Sequence, residues 1–396
     1  MGWDGTSTSA PPREWVKKER HDVLKVLQLI PTLDRSGAEK QMVMLATGLP
    51  RDRFEVEVGV LTRSGPFEAD LRAAGIPLTV FSKRFKLDPF VLWKLTRWLC
   101  EKRFDVVHTW IFAANAYGRV AARRAKVPVV ITSEMAVDLW KSPRDLRVDR
   151  RLARWTDKVV GNSHAVVDFY RRAGIPADKL AMIYSGIGEP PVPAAEVDRA
   201  GVRLSLRLPP DAPLVVFAGR LAAQKRVDDL IHAMDLLLHL LPRAHTVILG
   251  DGPLRERLQE MVRNLQHENA IHFLGHREDV PRLLAAADVL ALPSSYEGLP
   301  NIVMEAMALG VPVAATAAPG TTELIEHERS GLLVPLGRRP ELAQAIRRLL
   351  TDRDLAQRLI DEARTRVQTR FRLDAMIHAY ADLYESVIST KTRAIP

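Results

Sequence analysis

The regular alternation of short β-type runs with amphipathic helical segments constrains the fold of this chain more than any other feature of its sequence. The β-type runs fall into two sets of six. The first set comprises Val23–Ile30, Glu55–Leu61, Leu78–Phe81, Val106–His108, Val127–Thr132 and Lys158–Val160, and the second comprises Leu214–Phe217, Thr246–Leu249, Ala270–Phe273, Val289–Ala291, Val311–Ala315 and Gly331–Val334. Strands that alternate with helices predict parallel sheets covered on both faces through right-handed crossovers. We therefore expect an α/β protein with two doubly wound domains.

A proline-rich segment separates the two predicted domains. Three prolines within Pro190–Pro193 cannot continue a helix or a central strand. We therefore predict a first domain over residues 21–190 and a second domain over residues 191–371. No shorter internal repeat is visible, so the duplication is one of architecture.

The two ends of the chain have different patterns. Residues 1–20 are polar and lack hydrophobic periodicity, so we expect a mobile tail. Apolar residues recur at helical spacing from Asp374 to Thr390, which predicts one amphipathic helix within residues 372–396.

The composition excludes several classes of protein. Charged residues interrupt every apolar run well before the ~20 residues that a membrane-spanning helix needs. The single cysteine, Cys100, cannot form an internal disulfide or a cysteine-based zinc site. A reducing, cytoplasmic location is the natural expectation.

The positive charge lies in the first half of the chain. Residues 1–200 hold 33 Lys and Arg against 24 Asp and Glu, whereas residues 201–396 hold 24 of each, so the net charge of +9 belongs to the first half. A basic face could meet an anionic membrane or a phosphorylated acceptor, and scattered solvated charges are the alternative. Nucleic acid is not expected as a partner, because the basic residues are not interleaved with aromatic residues as in RNA readers.

A basic and aromatic segment within that half suggests where a membrane could bind. Phe81–Lys86 is followed by a helical pattern that includes Phe90, Trp93 and Trp98 with Lys94. We hypothesise that this helix rests on the inner face of the cell membrane and positions an acceptor there. An ordinary amphipathic helix packed on the core is the alternative.

Polar residues directly after predicted strands are the candidates for a site, because open α/β sheets bind ligands at the carboxyl ends of their strands. Arg220 and Lys225 flank one strand-to-helix loop, and an arginine fork with a mobile lysine suits a diphosphate. Gly252 lies after the next strand and would let the backbone approach a ligand closely. A solvated pair of cations and a tight turn without a ligand are the respective alternatives.

Residues 294–305 carry the strongest signal of a ligand site. Pro300 stands where a helix could begin, so free backbone N–H groups near Asn301 would form an anion site. Glu297 and Glu305 lie on either side of it. Glu305 belongs to an otherwise apolar helix and therefore needs a polar partner, for which ribose hydroxyls are suitable. A surface glutamate at a helix edge is the alternative.

The first half offers two further candidates. Gly37 lies in a loop that opens a helix after the first strand, where backbone amides can approach phosphate. His108 stands at the end of the fourth predicted strand and could donate to a sugar hydroxyl or a phosphate oxygen. A structural histidine is the alternative for His108.

Together these motifs resemble glycosyltransferase family 4, the retaining enzymes of the glycosyl transferases group 1 with the GT-B fold. The resemblance covers nearly the whole chain after the tail. Its motifs are Ser36–Glu39, Asp105–His108, Asn115–Ala121, Gly161–Ser163, Gly219–Leu221 with Lys225, Gly250–Pro253, Phe273–His276, Glu297–Glu305 and Gly310–Val313. It implies two Rossmann-like domains that face a central cleft, with the last helix crossing back to the first domain.

The resemblance also implies roles for single residues. The second domain would bind a UDP- or GDP-sugar, and the first would bind an acceptor. Arg220 and Lys225 would neutralise the pyrophosphate, Glu305 would hold the ribose, and Glu297 would lie near the donor sugar. Gly37 and Gly252 would contact the diphosphate of the donor, and His276 and Arg277 would contact its base. The sugar and the diphosphate would also be contacted by Leu299, Pro300 and Asn301.

The chain departs from the family pattern in its first half. Ser36-Gly37 stands where relatives commonly have two glycines. Where a histidine is often found after the fifth strand, this chain has Ser133-Glu134-Met135. His108, as a catalytic residue, and Glu134, as a substrate-binding residue, are therefore the candidates for orienting the donor or the acceptor.

The expected reaction moves a hexose from a nucleotide-sugar to a hydroxyl of a glycan or lipid-linked acceptor in polysaccharide, glycolipid or cell-envelope glycan synthesis. We expect no cofactor and no metal, since the D-x-D spacing of metal-dependent transferases occurs at Asp352-Arg353-Asp354, in a helical segment and not after a strand. A nucleotide-sugar epimerase of the same fold and a non-catalytic nucleotide-sugar-binding protein are the competing functions.

Overall fold

The computed structural model describes residues 23–190 and 196–393 and contains two parallel sheets. The first sheet has seven strands in the order β3-β2-β1-β4-β5-β6-β7, and the second has six in the order β10-β9-β8-β11-β12-β13. The strands are β1 (Leu24–Thr32), β2 (Phe54–Arg63), β3 (Leu78–Val80), β4 (Val106–Trp110), β5 (Val129–Glu134), β6 (Lys158–Gly161), β7 (Leu180–Met182), β8 (Leu214–Ala218), β9 (His245–Leu249), β10 (Ile271–Gly275), β11 (Val289–Leu292), β12 (Val313–Thr316) and β13 (Leu332–Val334).

Helices connect the strands and cover the sheets. They are α1 (Gly37–Gly48), α2 (Glu68–Ala73), α3 (Pro89–Lys102), α4 (Ile111–Arg124), α5 (Pro143–Leu152), α6 (His164–Arg172), α7 (Arg199–Ser205), α8 (Val227–Leu238), α9 (Arg255–Asn264), α10 (Val280–Ala285), α11 (Asn301–Leu309), α12 (Thr321–Leu324), α13 (Arg339–Thr351), α14 (Arg353–Arg370) and α15 (Leu373–Arg393).

All twelve predicted strands are present, and the first sheet has one more. The additional strand, β7, pairs with β6 in parallel. It is three residues long and only partly buried, and the sequence does not predict it.

Helix α15 returns from the second domain to the first. Ile187 and Arg372 form a β-bridge where the chain crosses. The apolar side of α15 then packs into the core of the first domain, where Met376, Tyr380 and Tyr384 are buried. The prediction of two doubly wound domains with a returning last helix is therefore confirmed.

The predicted domain limits are not tested by this architecture. The tail over residues 1–20 lies outside the described residues, and so does the segment 191–195 that contains most of the proline-rich boundary. The limits at residues 190 and 371 stay predictions.

Helix α3 is amphipathic and packs on the first domain. Val91, Leu95 and Leu99 are buried in a core cluster, whereas Phe90 and Trp93 are exposed and stack on each other. The buried face of α3 is what an amphipathic helix packed on the core requires. Phe90 and Trp93 lie on its exposed face, outside that core. Within the described residues, no helix is both long enough and apolar enough to cross a bilayer.

Candidate active site

Two helix N-termini, one from each domain, meet between the sheets. Asn301, the first residue of α11, donates from Nδ2 to the carbonyl oxygen of Gly37, the first residue of α1, at 3.0 Å. Gln41 Nε2 donates to Asn301 Oδ1 at 3.2 Å. Each helix directs the positive end of its dipole to this point, which favours an anion. The structure thus brings together Gly37 and Asn301, which are 264 residues apart in the chain.

The start of α11 leaves backbone donors free. Pro300 occupies the N-cap position, as the sequence predicts, and it has no N–H group to offer. The N–H groups of Asn301 and Ile302 have no acceptor among the described residues. These two amides lie next to Gly37, so together they form a place for a phosphate oxygen.

Lys225 and Glu297 form a partly buried ion pair at the same edge of the second sheet. The Nζ atom of Lys225 lies 2.5 Å from Oε1 of Glu297. Two further contacts tie their loops together, because Ser295 N donates to the Gln224 carbonyl at 2.8 Å and Gln224 Nε2 donates to the Tyr296 carbonyl at 2.7 Å. The second carboxylate oxygen of Glu297 has no described donor, so it can still accept a hydrogen bond.

Arg220 is the unpaired cation of this loop. It directly follows Gly219, past the end of β8, and it is exposed. No carboxylate of the described residues lies within ion-pair distance of its guanidinium group. An exposed arginine without a partner, close in the chain to Lys225, is available to bind an anion bidentately.

Glu305 is held from the opposite domain. Lys40 of α1 donates from Nζ to Glu305 Oε1 at 2.6 Å, while Glu305 Oε2 has no described donor. A second pair crosses the cleft nearby, where Arg35 Nη2 lies 3.4 Å from Glu278 Oε1. The polar partner of Glu305 in this structure is Lys40, which the sequence does not indicate, and the role of Glu305 in holding the ribose stays a prediction.

The loop that carries Glu297 is packed on both sides by backbone. A Cβ atom added to Gly298 would lie 2.0 Å from the carbonyl oxygen of Met135, which follows β5 of the first domain. Gly320, at φ +81°, approaches the other side, since its Cβ would lie 2.1 Å from the Gly298 carbonyl oxygen. Only glycine allows these approaches, so the Glu297 loop is fixed against the first domain.

The other predicted donor contacts lie around these groups. Gly252 is explained by packing, because its Cβ would lie 2.5 Å from the Leu221 carbonyl oxygen of the neighbouring loop. His276 is exposed, and Arg277 donates to both carboxylate oxygens of Asp279 at 2.7 Å. Leu299 and Pro300 are buried at the start of α11. The roles assigned to these residues stay predictions.

The prediction that His108 is catalytic is wrong. Strand β4 extends to Trp110, so His108 lies in mid-strand and is fully buried. Its Nδ1 lies 2.7 Å from Tyr384 Oη and its Nε2 lies 2.8 Å from Ser133 Oγ, so both ring nitrogens are occupied. Burial lowers the pKa of His108 to about 3, and the neutral ring serves to anchor α15.

The prediction that Glu134 contacts the substrate also needs correction. The residue ends β5 at the cleft, but its side chain turns inward and the residue is 1% exposed. Asn115 Nδ2 donates to Oε1 at 2.9 Å and Lys141 Nζ donates to Oε2 at 3.5 Å. Burial raises the pKa of Glu134 to about 7, although the nearby Lys141 acts in the opposite direction.

Glu134 belongs to a buried network of charges behind the cleft. Lys141 Nζ lies 2.9 Å from Asp149 Oδ2 and 3.1 Å from Asp138 Oδ2. Arg119 Nη2 lies 2.7 Å from Asp149 Oδ1. Burial lowers the pKa of Lys141, but attraction to the three carboxylates outweighs it and the net shift is upward. The sequence gives no signal for this network, since its members lie on separate elements and follow no motif.

Metal-binding geometry is not found in the described part of the chain, where no group of three or more His, Cys, Asp or Glu side chains could hold an ion. The D-x-D sequence lies at the start of α14, where Asp352 caps the helix by accepting from Leu355 N at 2.9 Å. That role agrees with the interpretation of these aspartates as surface charges.

Comparison with known families gives a match to each half of the chain. Residues 35–189 match the family model for Glycosyltransferase Family 4, and residues 199–366 match the model for Glycosyl transferases group 1. The two matched regions contain the Gly37 loop and the Glu297–Glu305 segment, respectively, which meet in the structure.

Relatives with names and solved structures match over almost the whole chain. The D-inositol 3-phosphate glycosyltransferase of Xylanimonas cellulosilytica is 30% identical, covering 93% of this chain and 91% of its own. The UDP-Gal:alpha-D-GlcNAc-diphosphoundecaprenol alpha-1,3-galactosyltransferase of Escherichia coli is 26% identical, covering 94% and 100%. The crystal structure of Anabaena Alr3699/HepE in complex with UDP-glucose superposes with a TM-score of 0.82 at 27% identity, covering 92% and 100%. This chain is therefore an enzyme of the family 4, group 1 glycosyltransferases, with their GT-B fold.

Proposed function

We propose that this enzyme transfers a hexose from a UDP-sugar to a hydroxyl acceptor, with retention of the anomeric configuration and without a metal ion. The observation that carries the proposal is the contact between the N-termini of α1 and α11 through Asn301 and Gly37, with Arg220 and Lys225 on a loop at the carboxyl ends of the strands of the second sheet. The choice of UDP is supported by two similar proteins, one crystallised with UDP-glucose and one named for UDP-galactose.

The chemistry follows from the charge of the leaving group. When the bond from the anomeric carbon to the diphosphate breaks, negative charge grows on the departing oxygen. The guanidinium of Arg220, the ammonium of Lys225 and the amides of Asn301 and Ile302 would stabilise that charge, which lowers the barrier selectively. These cations take the place that a metal ion has in other transferases.

The configuration is retained if the acceptor hydroxyl attacks the anomeric carbon from the same face that the leaving group departs from. The acceptor hydroxyl would give its proton to the leaving phosphate while its oxygen bonds to the anomeric carbon, so the reaction needs no side-chain nucleophile. One carboxylate oxygen of Glu297 is occupied by Lys225, and the other has no donor among the described residues. Its free oxygen is better suited to accept a hydrogen bond from a hydroxyl of the donor sugar.

The acceptor is assigned to the first domain and is a glycan or a lipid-linked sugar at the inner face of the cell membrane. The exposed side of α3 supports peripheral binding, because Lys94 Nζ lies 4.8 Å from the ring centre of Phe90 and Arg97 Cζ lies 5.8 Å from that of Trp93. Basic groups beside exposed aromatic rings suit anionic headgroups. Co-sedimentation with vesicles that contain anionic lipid tests this, and no sedimentation would refute it.

A donor panel tests the whole proposal. Purified enzyme is incubated in EDTA with UDP- and GDP-hexoses and a mixture of glycan acceptors, and the products are analysed by mass spectrometry and NMR. We expect a glycosylated acceptor with the donor's anomeric configuration. An isomerised donor would show an epimerase, binding without turnover would show a non-catalytic protein, and inversion would refute the mechanism.

A further inference from the structure

Trp140 is an exposed aromatic ring that is held in one orientation. It lies in the loop from Met135 to Lys141, between β5 and α5, and is 58% exposed. Its Nε1 donates to Asp138 Oδ1 at 2.9 Å, and its ring meets that of Phe112 edge to face at 5.8 Å. A hydrogen bond and a ring contact on different sides leave the indole little freedom to rotate.

Asp138, which accepts the hydrogen bond of the Trp140 indole, is itself buried. Tyr170 Oη donates to Asp138 Oδ2 at 2.6 Å, and Lys141, which follows Trp140 in the chain, is ion-paired with Asp138 and Asp149. Burying charges in this way carries a desolvation cost, so it gains little stability by itself. The buried charges hold the loop from Met135 to Lys141 rigid, and the ring of Trp140 lies on its outer surface.

The loop lies beside the predicted donor-sugar site. The Met135 carbonyl is packed against Gly298 of the Glu297 loop. On the same side, Tyr296 packs against the cluster that contains Val137 and Tyr170. Trp140 therefore belongs to a first-domain loop that contacts the donor loop, where an acceptor must approach the anomeric carbon.

We propose that the free face of Trp140 stacks against a pyranose ring of the acceptor, so that this enzyme extends an existing sugar and does not glycosylate an isolated alcohol. This inference rests on the proposed function. The C–H groups on one face of a pyranose carry partial positive charge and are attracted to the electron-rich face of an aromatic ring. Leu139, also exposed, extends the apolar surface beside the ring.

The hydrogen bond of the indole distinguishes this role from membrane insertion. A tryptophan at a membrane interface directs its N–H towards headgroups or water. In Trp140 that N–H is already satisfied by Asp138. A ring fixed by internal contacts is suited to bind another rigid ring.

The test compares Trp140→Ala and Trp140→Phe with a matched control, Trp155→Ala. Trp155 is exposed in the short 3-10 turn that follows α5, about 15 Å away along a helix of ten residues. The acceptors are n-octyl glucoside, galactoside, mannoside and N-acetylglucosaminide, with n-octanol to control for the alkyl chain. Acceptor KM, kcat, donor KM and acceptor-free hydrolysis of the donor are measured, and thermal unfolding verifies the fold of each variant.

We expect the wild type to use at least one pyranoside in preference to n-octanol. Trp140→Ala should raise the KM for that pyranoside about 10- to 100-fold, as expected for loss of a central tryptophan contact. The kcat, the donor KM and the hydrolysis rate should stay near those of the wild type, Trp140→Phe should recover most of the affinity, and Trp155→Ala should behave as wild type.

Two results would overturn the role of Trp140 and leave the proposed function standing. One is an unchanged acceptor KM in Trp140→Ala. The other is a wild type that hydrolyses the donor but transfers to no pyranoside, or prefers n-octanol. Failure of the wild type to turn over any nucleotide-sugar would instead refute the proposed function on which the inference rests.

Discussion

Glu134 should make the stability of the first domain fall as the pH rises. Its pKa is raised from 4.5 to about 7 by burial, so the folded protein holds a proton that the unfolded chain has released between these values. Stability is therefore fully present below pH 4.5 and is lost as the pH rises through 7. At about 1.4 kcal/mol per pKa unit, the full effect is roughly 3 kcal/mol, most of which falls between pH 5 and 8.

Replacing Glu134 by Gln isolates this contribution. The amide keeps the shape of the side chain but has no proton to lose, so the loss of stability between pH 5 and 8 should be smaller than in the wild type by roughly 2–3 kcal/mol. Guanidinium unfolding at the two pH values measures it. Glu260→Gln, at an exposed position of α9, is the control and should keep the wild-type dependence. Equal pH dependence in Glu134→Gln and the wild type would refute the reasoning.

Three further outcomes are expected. Gly298→Ala should abolish most transfer while the protein stays folded. The new Cβ would lie 2.0 Å from the Met135 carbonyl oxygen and would separate the Glu297 loop from the first domain. Activity near that of the wild type would contradict this close packing. Lys40→Met should raise the donor KM. It should change the unfolding free energy by no more than ~1 kcal/mol, because the ion pair of Lys40 with Glu305 is partly exposed. Steady-state kinetics and chemical unfolding measure the two effects, and an unchanged KM would count against a role in donor binding. Tyr384→Phe should lower the unfolding free energy by about 1–3 kcal/mol, because it leaves buried hydrogen-bond partners unsatisfied; calorimetry that shows no loss would contradict it.

The sheets could be predicted because their strands carry a local signal. Buried parallel strands such as β1, β8 and β11 read as nearly continuous apolar runs. Strand β7, at Leu180–Met182, is short and only partly buried, and the sequence does not predict it. The destination of α15 agrees with the family resemblance, whereas its amphipathic pattern alone names no partner.

The candidate site could be predicted only in part. Pro300 marks the start of α11 through local chemistry, and Gly37 marks that of α1. The pairing of Lys40 with Glu305 joins residues 265 positions apart, and no local pattern encodes it. The sequence predicts that His108 ends its strand, but β4 continues for two residues and the side chain lies in the core. An error of two residues in the end of a strand therefore misplaces a candidate site residue.

The most direct test of the account is the rate of transfer by Arg220→Ala and Lys225→Ala in EDTA, each compared with its charge-preserving variant, Arg220→Lys or Lys225→Arg. If these two cations stabilise the departing diphosphate, each alanine variant should lose roughly 1.5–3 kcal/mol of stabilisation, which is about a 10- to 100-fold fall in kcat. The charge-preserving variants should retain more activity. Near-normal turnover in both alanine variants, or a wild-type rate that appears only when a divalent metal is added, would contradict the account.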